Sequence, residues 1–337
     1  MSTAIIHPAQ PEQILKALTK VWTSVGQEQK QQGKPTVLRA SSMTLIVATD
    51  EQDGGFSASQ TIADLMQSHP SRGIVLAVSE KAERDLEARV LAQCWKPFGK
   101  AEQICCEQIE ITSAPASWPN IGPTVIGIIP ADLPVILWCR HRAALKPSAG
   151  PDQKAGLEAV MNLSSKVIVD SKDEDPSGAL GILGEWRARG RVVADLEWTR
   201  LTRWREPIAH LFDNPAAGNG LSNFNAIEIA YTGEKPSSSV LYMAGWLSAP
   251  YRANVLVINT KGPAPGLKRI RMRSKSEMIE LDRTSCDCMT LRSSNGRERQ
   301  YSFNEASLYT LLNEELSILG PDPAFDLAFT RAQEFVF

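Results

Sequence analysis

The segment Asp195–Asp213, DLEWTRLTRWREPIAHLFD, gathers the residue types with the most to offer a binding site. Arg200, Arg203 and Arg205 carry planar forks suited to carboxylates and phosphates. Glu197 and Glu206 supply opposite charge, and Trp198 and Trp204 supply faces on which a guanidinium can stack. Leu201, Trp204, Ile208 and Leu211 or Phe212 recur at helical spacing, which predicts an amphipathic helix. Pro207 falls inside that pattern, and proline fits a helix best in its first turn. The spacing therefore predicts a short turn or helix through about Trp204 and a new helix from near Glu206. Trp and Arg are enriched at interface hot spots, and the same pair stacks inside cores. Two readings follow for Asp195, Trp198, Thr199, Arg200, Leu201, Thr202, Trp204, Arg205 and Glu206: a structural brace, or a surface that recognises a partner.

Rival centres are weaker. His69-Pro70-Ser71-Arg72 leads into an apolar run, and a Ser and Arg at a strand edge can hold a phosphate or carboxylate. With Arg140 and Ser171 they compose a candidate anion pocket, set against the plainer reading of a salt-bridged loop anchor. Asp170, Asp173, Glu174 and Asp175 form an acidic loop after a strand, which suits magnesium or, more simply, the capping of a following helix. Gly178, Gly181 and Gly184 stand three apart and give neither a dinucleotide fingerprint nor a phosphate loop. The four histidines, His7, His69, His141 and His210, fall in no metal-ligand pattern. Cys105 and Cys106 face opposite sides of a strand, while Cys286 and Cys288 share a face too widely spaced for a relaxed disulfide. The cysteines read as buried inert thiols, with a redox switch at Cys105, Cys106, Cys286 or Cys288 as the alternative. No nucleophile, base and oxyanion set assembles, which weighs against a catalytic centre, and no ligand cluster marks a metal site.

The 337 residues allow two domains. A net charge of −2 provides no global field for nucleic acid or an anionic membrane. No apolar run reaches bilayer length, and MSTAIIHPAQPEQ lacks the basic-then-apolar order of a secretory signal. Six cysteines without framework spacing point to a reducing compartment, hence the cytoplasm.

These residues need a scaffold. Helical periodicity runs through Pro11–Val25, and continuous apolar runs at Leu45–Ala48, Gly73–Val78 and Pro134–Trp138 predict strands covered on both faces. A short helix holds Ile62, Leu65 and Met66; another, capped by Ser79, is predicted with Leu86, Val90, Leu91 and Cys94 on its apolar side. Strands follow at Ile104–Ile111 and Ser165–Asp170, and a helix from Ser177 to near Gly190. This alternation predicts an α/β N-terminal domain with a largely parallel sheet, over residues 1–215. The Asn-, Gly- and Pro-rich stretch Asp213–Asn223 is the predicted boundary. Beyond it, residues 220–337 predict a smaller α+β C-terminal domain. It holds a strand at Asn225–Tyr231, an apolar helix at Ser237–Leu247 stopped by Pro250, and a strand at Ala253–Asn259. Short strands at Leu267–Arg273, Glu277–Asp282, Asp287–Leu291 and Arg299–Phe303 follow, then helices at Glu305–Leu319 and Pro323–Val336.

Several of these segments together resemble the OpcA family of glucose-6-phosphate dehydrogenase assembly proteins. They are SHPSRGIVLAV, ICCEQIEI, ADLPVILW, SSKVIVDS and DLEWTRLTRWRE in that order, then SVLYMAGWLSAP, so the resemblance covers about Val37 to Pro250. Cys139, Cys106 and Pro207 depart from the family pattern, which expects Trp, Ser and a continuing helix there. The resemblance implies a bacterial, cytoplasmic, non-catalytic partner that promotes assembly or activity of glucose-6-phosphate dehydrogenase and needs no cofactor. An alternative of a different class is a sugar-phosphate-binding α/β sensor or weak enzyme, built on Arg72, Arg140, Ser171 and the Arg-rich block.

Overall fold

The computed structural model describes residues 4–7, 9–31, 37–50, 55–80, 82, 85–99, 102–212, 224–262 except 252, 265–294 and 296–336. The predicted boundary Asp213–Asn223 lies outside the described residues. The chain packs as two compact units, one of residues 1–169 and 187–193, the other of residues 170–186 and 194–337. This division does not coincide with 1–215 and 220–337. Residues 170–186 and 194–212 group with the later strands and helices, although Ala194 and Asp195 are also the last residues of a strand of the first sheet.

The first unit is built on a mixed sheet. Its strands are β1 (Ala4–Ile6), β2 (Val37–Arg39), β3 (Met43–Thr49), β4 (Ser71–Val78), β5 (Leu86–Trp95), β6 (Gln103–Ser113), β7 (Val135–Arg140), β8 (Lys166–Val169) and β9 (Val192–Asp195). They lie in the order β1-β5-β6-β4-β3-β7-β8-β9, with β2 also against β6. Pairing is parallel from β6 through β4, β3 and β7 to β8. Every residue of β3 is buried, as its unbroken apolar run requires of a strand covered on both faces. Helix α1 (Pro11–Gln31) buries Ile14, Ala17, Leu18 and Val21, and α2 (Phe56–Leu65) buries Ala58, Ile62 and Leu65. A short α3 (Ile121–Ile126) precedes β7, and α4 (Pro151–Met161) lies between β7 and β8. Gly156 lets α4 approach the indole of Trp118: a Cβ there would stand 2.3 Å from Nε1.

Two expectations fail in this unit for one reason. Leu86–Cys94 is not a helix but most of β5, which pairs antiparallel with β6 along its whole length. Ala88 and Val90, two apart, are its fully buried residues, so period-two burial prevails over a weak helical pattern. The register sets Cys94 directly opposite Cys105, and the two form a disulfide, with Cα atoms 4.1 Å apart. Cys105 is therefore not an inert thiol, and the sheet, largely parallel as expected, becomes mixed through the antiparallel β5 and β1. Cys106 faces the other way, its Sγ 3.2 Å from the Ala40 carbonyl oxygen. Burial pushes the Cys106 thiol up to about 11 and the Cys139 thiol up to about 12, so both stay protonated.

The second unit carries a sheet in the order β11-β10-β12-β13-β14-β15. The strands are β10 (Ala226–Thr232), β11 (Asn254–Asn259), β12 (Gly266–Arg273), β13 (Met278–Arg283), β14 (Cys288–Ser293) and β15 (Glu298–Ser302). β10 and β11 are parallel and every other pair is antiparallel, as an α+β reading requires. One face buries Ile227, Ile229, Ile270, Met272, Leu281 and Leu291. The opposite face carries an alternating row of charge, with Glu228, Arg271, Glu280, Arg292 and Glu298 in direct register from β10 to β15. Each neighbouring pair in the row lies within ion-pair distance.

The helices of this unit are α5 (Pro176–Ala188, its last two residues assigned to the first unit), α6 (Leu196–Arg200), α7 (Thr202–Phe212), α8 (Ser238–Tyr251), α9 (Leu308–Leu316) and α10 (Pro323–Ala332). Helix α8 runs through Pro250 instead of stopping before it. In the last turn the missing amide costs a single intrahelical bond. Helices α8 and α10 meet at Gly245, where a Cβ would stand 2.1 Å from the Ala328 carbonyl oxygen. Backbone cannot yield as a side chain does. Gly245→Ala is expected to lower stability by about 1–3 kcal/mol, read from urea denaturation.

Candidate functional site

The Asp195–Phe212 block belongs to the second unit. Asp195 ends β9 in extended backbone and caps α6, its Oδ1 accepting from the Glu197 amide at 3.0 Å. The same oxygen accepts from the Ser171 amide at 3.1 Å, and Oδ2 accepts from the hydroxyls of Ser171 and Tyr242. This carboxyl is fully buried. Burial pushes it up to about 6, although the Ser171, Glu197 and Tyr242 hydrogen bonds pull the other way. Burial also raises Glu197, opposed by Arg200, which donates to it at 2.9 Å. Arg200 closes a two-pronged pair on Asp170, with both bonds at 2.7 Å. Burial alone would lower the Arg200 guanidinium; Asp170 and Glu197 raise it instead.

The remaining block residues tie helices together. Trp198 donates its Nε1–H to Asp322 at 2.8 Å, and Asp322 in turn caps α10. The Arg205 guanidinium lies over the Trp198 ring at 3.7 Å. Burial lowers Arg205, and the carboxylates of Asp322, Glu314 and Glu315 offset part of that. Thr199 donates to buried Glu315 at 2.8 Å, and Thr202 donates to Glu314 at 2.5 Å. Trp204 stands edge-on to Phe303 at 5.5 Å. Trp198 is 2% exposed and Trp204 3%, so both rings are core.

The helical break falls at Leu201, not between Trp204 and Glu206. The Leu201 carbonyl accepts from the amides of both Trp204 and Arg205, which starts α7 at Thr202. Pro207 then sits within α7. Its absent N–H frees the carbonyl of Arg203, a residue on the exposed side. Arg203 and Glu206 are the exposed members of the block, as His210 is farther along.

Beside the block lies a cleft of about 800 Å³, lined by Glu197, Arg200, Trp204, Ser237, Ser239 and Arg283 among others. Arg203, Glu206, Lys172 and Asp173 also reach it. Its charges are mixed, so it has no evident preference for an anion.

The residues of the predicted anion pocket are placed separately. Ser71 opens β4 and is buried. Arg72 spends Nε and Nη2 on Glu107, each at 2.6 Å, and Nη1 on the Ile128 carbonyl. Glu107 also receives the Trp22 indole and Arg39. Arg140 lies over Trp138 at 4.9 Å and donates to Ser57. On β3, Arg72 aligns with Thr44 and Arg140 with Thr49, so the two are about 16 Å apart along the strands. Ser171 belongs to the second unit and serves Asp195. Of the acidic loop, Asp170 binds Arg200, and Asp175 caps α5 by accepting from the Gly178 amide.

Sequence reasoning missed Tyr242, Asp322, Glu314, Glu315 and Phe303. Asp322-Pro323 does read as a helix start, but nothing local ties it to Trp198, 124 residues away.

Residues 62–185 match the family described as the glucose-6-phosphate dehydrogenase subunit N-terminal domain, and residues 191–329 match its C-terminal domain counterpart. Three curated relatives bear the name "Putative OxPP cycle protein OpcA". The Nostoc punctiforme protein is 29% identical over 66% of this chain and 50% of its own length. The Synechococcus elongatus protein is 24% identical over 82% and 66%. The Synechocystis protein is 27% identical over 56% and 38%. The chain thus spans between about a third and two thirds of the curated relatives it matches. Among solved structures, an oxidoreductase from Sinorhizobium meliloti aligns at 11% identity over 87% of this chain and 95% of that one, with a TM-score of 0.46. The transcriptional regulator Gal80p from Kluyveromyces lactis aligns at 10% over 88% and 91%, with a TM-score of 0.45.

Proposed function

This chain belongs to the OpcA family, and from that premise we propose that it is a non-catalytic assembly or activation partner of glucose-6-phosphate dehydrogenase. In this reading it works in the cytoplasm of a bacterium, within the oxidative pentose phosphate pathway. The observation that carries the proposal is the match, in order, to both domains of a family described as subunits of that enzyme. The buried members of the block brace the second unit. Asp195, Thr199, Trp198 and Arg200 are each engaged with other side chains of the unit. Arg203 and Glu206 remain exposed at the cleft and are the members of the block free to meet a partner.

The mechanism is a population shift: the partner binds the active or oligomeric form of the enzyme better than the inactive one. A tenfold shift needs only about 1.4 kcal/mol of differential binding. Adding this protein to the purified dehydrogenase is expected to raise its activity or move its sedimentation. Reversing both exposed charges, Arg203→Glu with Glu206→Arg, is expected to weaken that effect about tenfold while stability stays within about 0.5 kcal/mol. A dehydrogenase whose activity and sedimentation ignore the wild-type protein refutes the proposal.

A further inference from the structure

The two edges of the second unit's sheet differ in kind. β15 presents Glu298, Arg299 and Gln300, all exposed, and charge of this sort discourages a further strand. β11 reads Asn-Val-Leu-Val-Ile-Asn, with neither a charge nor a proline, and Leu256 is 57% exposed. Such an edge is a template for another strand.

The backbone of β11 specifies which groups are available. The Asn254 amide donates to the Asn225 carbonyl and the Thr260 amide to the Tyr231 carbonyl. Even-numbered residues of the strand therefore turn their polar groups toward β10, and Val255, Val257 and Asn259 turn theirs outward. Among the described residues, no strand lies on that outer side.

We propose that β11 pairs antiparallel with β11 of a second copy of this chain, centred on Val257, joining the two sheets into one. A two-fold axis perpendicular to the sheet requires a residue to face itself, and Val257 is the middle outward-facing residue. In that register Val255 meets Asn259 of the second copy, so every outward donor and acceptor of the three residues finds a partner. Leu256 then meets Ile258 of the second copy. Both point to the face opposite the helices, since Val255 and Val257 align with the inward Ile227 and Ile229. Neither strand carries charge, so two identical strands meet without repulsion. A contact of strand edges alone is small, which places the pairing among weak, concentration-dependent associations. This inference stands independently of the dehydrogenase proposal.

The test is sedimentation equilibrium of the full chain from about 1 to 100 μM, a range suited to micromolar association. The expected result is a monomer–dimer equilibrium. Leu256→Lys, on an exposed side chain, is expected to raise the dissociation constant about tenfold or more. Val257→Pro removes an outward amide and spares the bonds to β10, and it is expected to give a monomer. Gln300→Pro, on the β15 edge, is expected to leave the dimer intact. A wild type that stays monomeric at the highest concentration overturns the proposal, as does a dimer that persists in folded Val257→Pro. Should the variants fail to fold, hydrogen exchange on the wild type decides. The amides of Val255, Val257 and Asn259 must gain protection with concentration; unchanged exchange across a measured dimerisation overturns the pairing. Protection that appears only when dehydrogenase is added also overturns it, because the edge then serves another chain.

Discussion

Trp204→Ala is expected to lower the stability of this protein by about 3–5 kcal/mol, measured by urea or guanidinium denaturation. The magnitude follows from complete burial. The ring is 3% exposed and packs edge-on to Phe303, so its loss forfeits a large buried apolar surface. Phe303 in turn lies under Arg283 at 4.7 Å, so the vacancy disturbs a second stacked contact. The result also separates the two roles of the block. A surface anchor lost to alanine leaves folding intact; this residue is expected to lose folding first. A stability change below about 1 kcal/mol would place Trp204 outside the core, against the packing described.

The second large effect concerns pH and Asp195. Its carboxyl holds a proton up to about pH 6 when folded, against an ordinary value near 4 when unfolded. Between those values the native state binds more protons than the unfolded state, so stability falls as pH rises. The stabilisation is complete below about pH 4 and is lost by passage through pH 6, a change of about 3 kcal/mol. Asp195→Asn cannot ionise. Its amide oxygen still accepts from the two backbone amides, and the Ser171 and Tyr242 hydroxyls can turn to accept from its nitrogen. Denaturation midpoints at pH 4, 5, 6 and 7 are expected to fall in the wild type and to stay flatter in the variant. Buried Glu197, also raised, leaves part of the slope in both. A wild-type stability that rises across this window would remove Asp195 as its source.

How legible these features were in the sequence depended on how far apart the interacting residues stand. β3, β4 and β7 read directly, because strands covered on both faces must be continuously apolar. The β12–β15 meander read almost to its residue limits, since alternation and polar turns are local signals. β5 failed because Leu86, Val90, Leu91 and Cys94 suit a helix as well as a strand, and β6 settles the matter from beyond a loop. The Cys94–Cys105 disulfide failed with it, being a product of that register. Helix α4 carries too few apolar positions, Leu157, Val160 and Met161, to announce itself. In the block, the residue types were legible and the partners were not. Thr199 meets Glu315 across 116 positions, and no spacing rule reaches that far.

The contrast between the meander and the block has a kinetic side. Strands β12 to β15 follow one another through short turns, and their row of alternating charge opposes slippage, since shifting β14 against β15 by two residues would exchange Glu298 for Gln300 opposite Arg292. Pairings of this kind close small loops and form early on the folding route. The tryptophans of the block must wait for loops of about a hundred residues or more to close, because Trp198 is satisfied by Asp322 and Trp204 by Phe303. Residues 195–212 are thus expected to acquire their native surroundings late, in the final stage of assembly of the second unit.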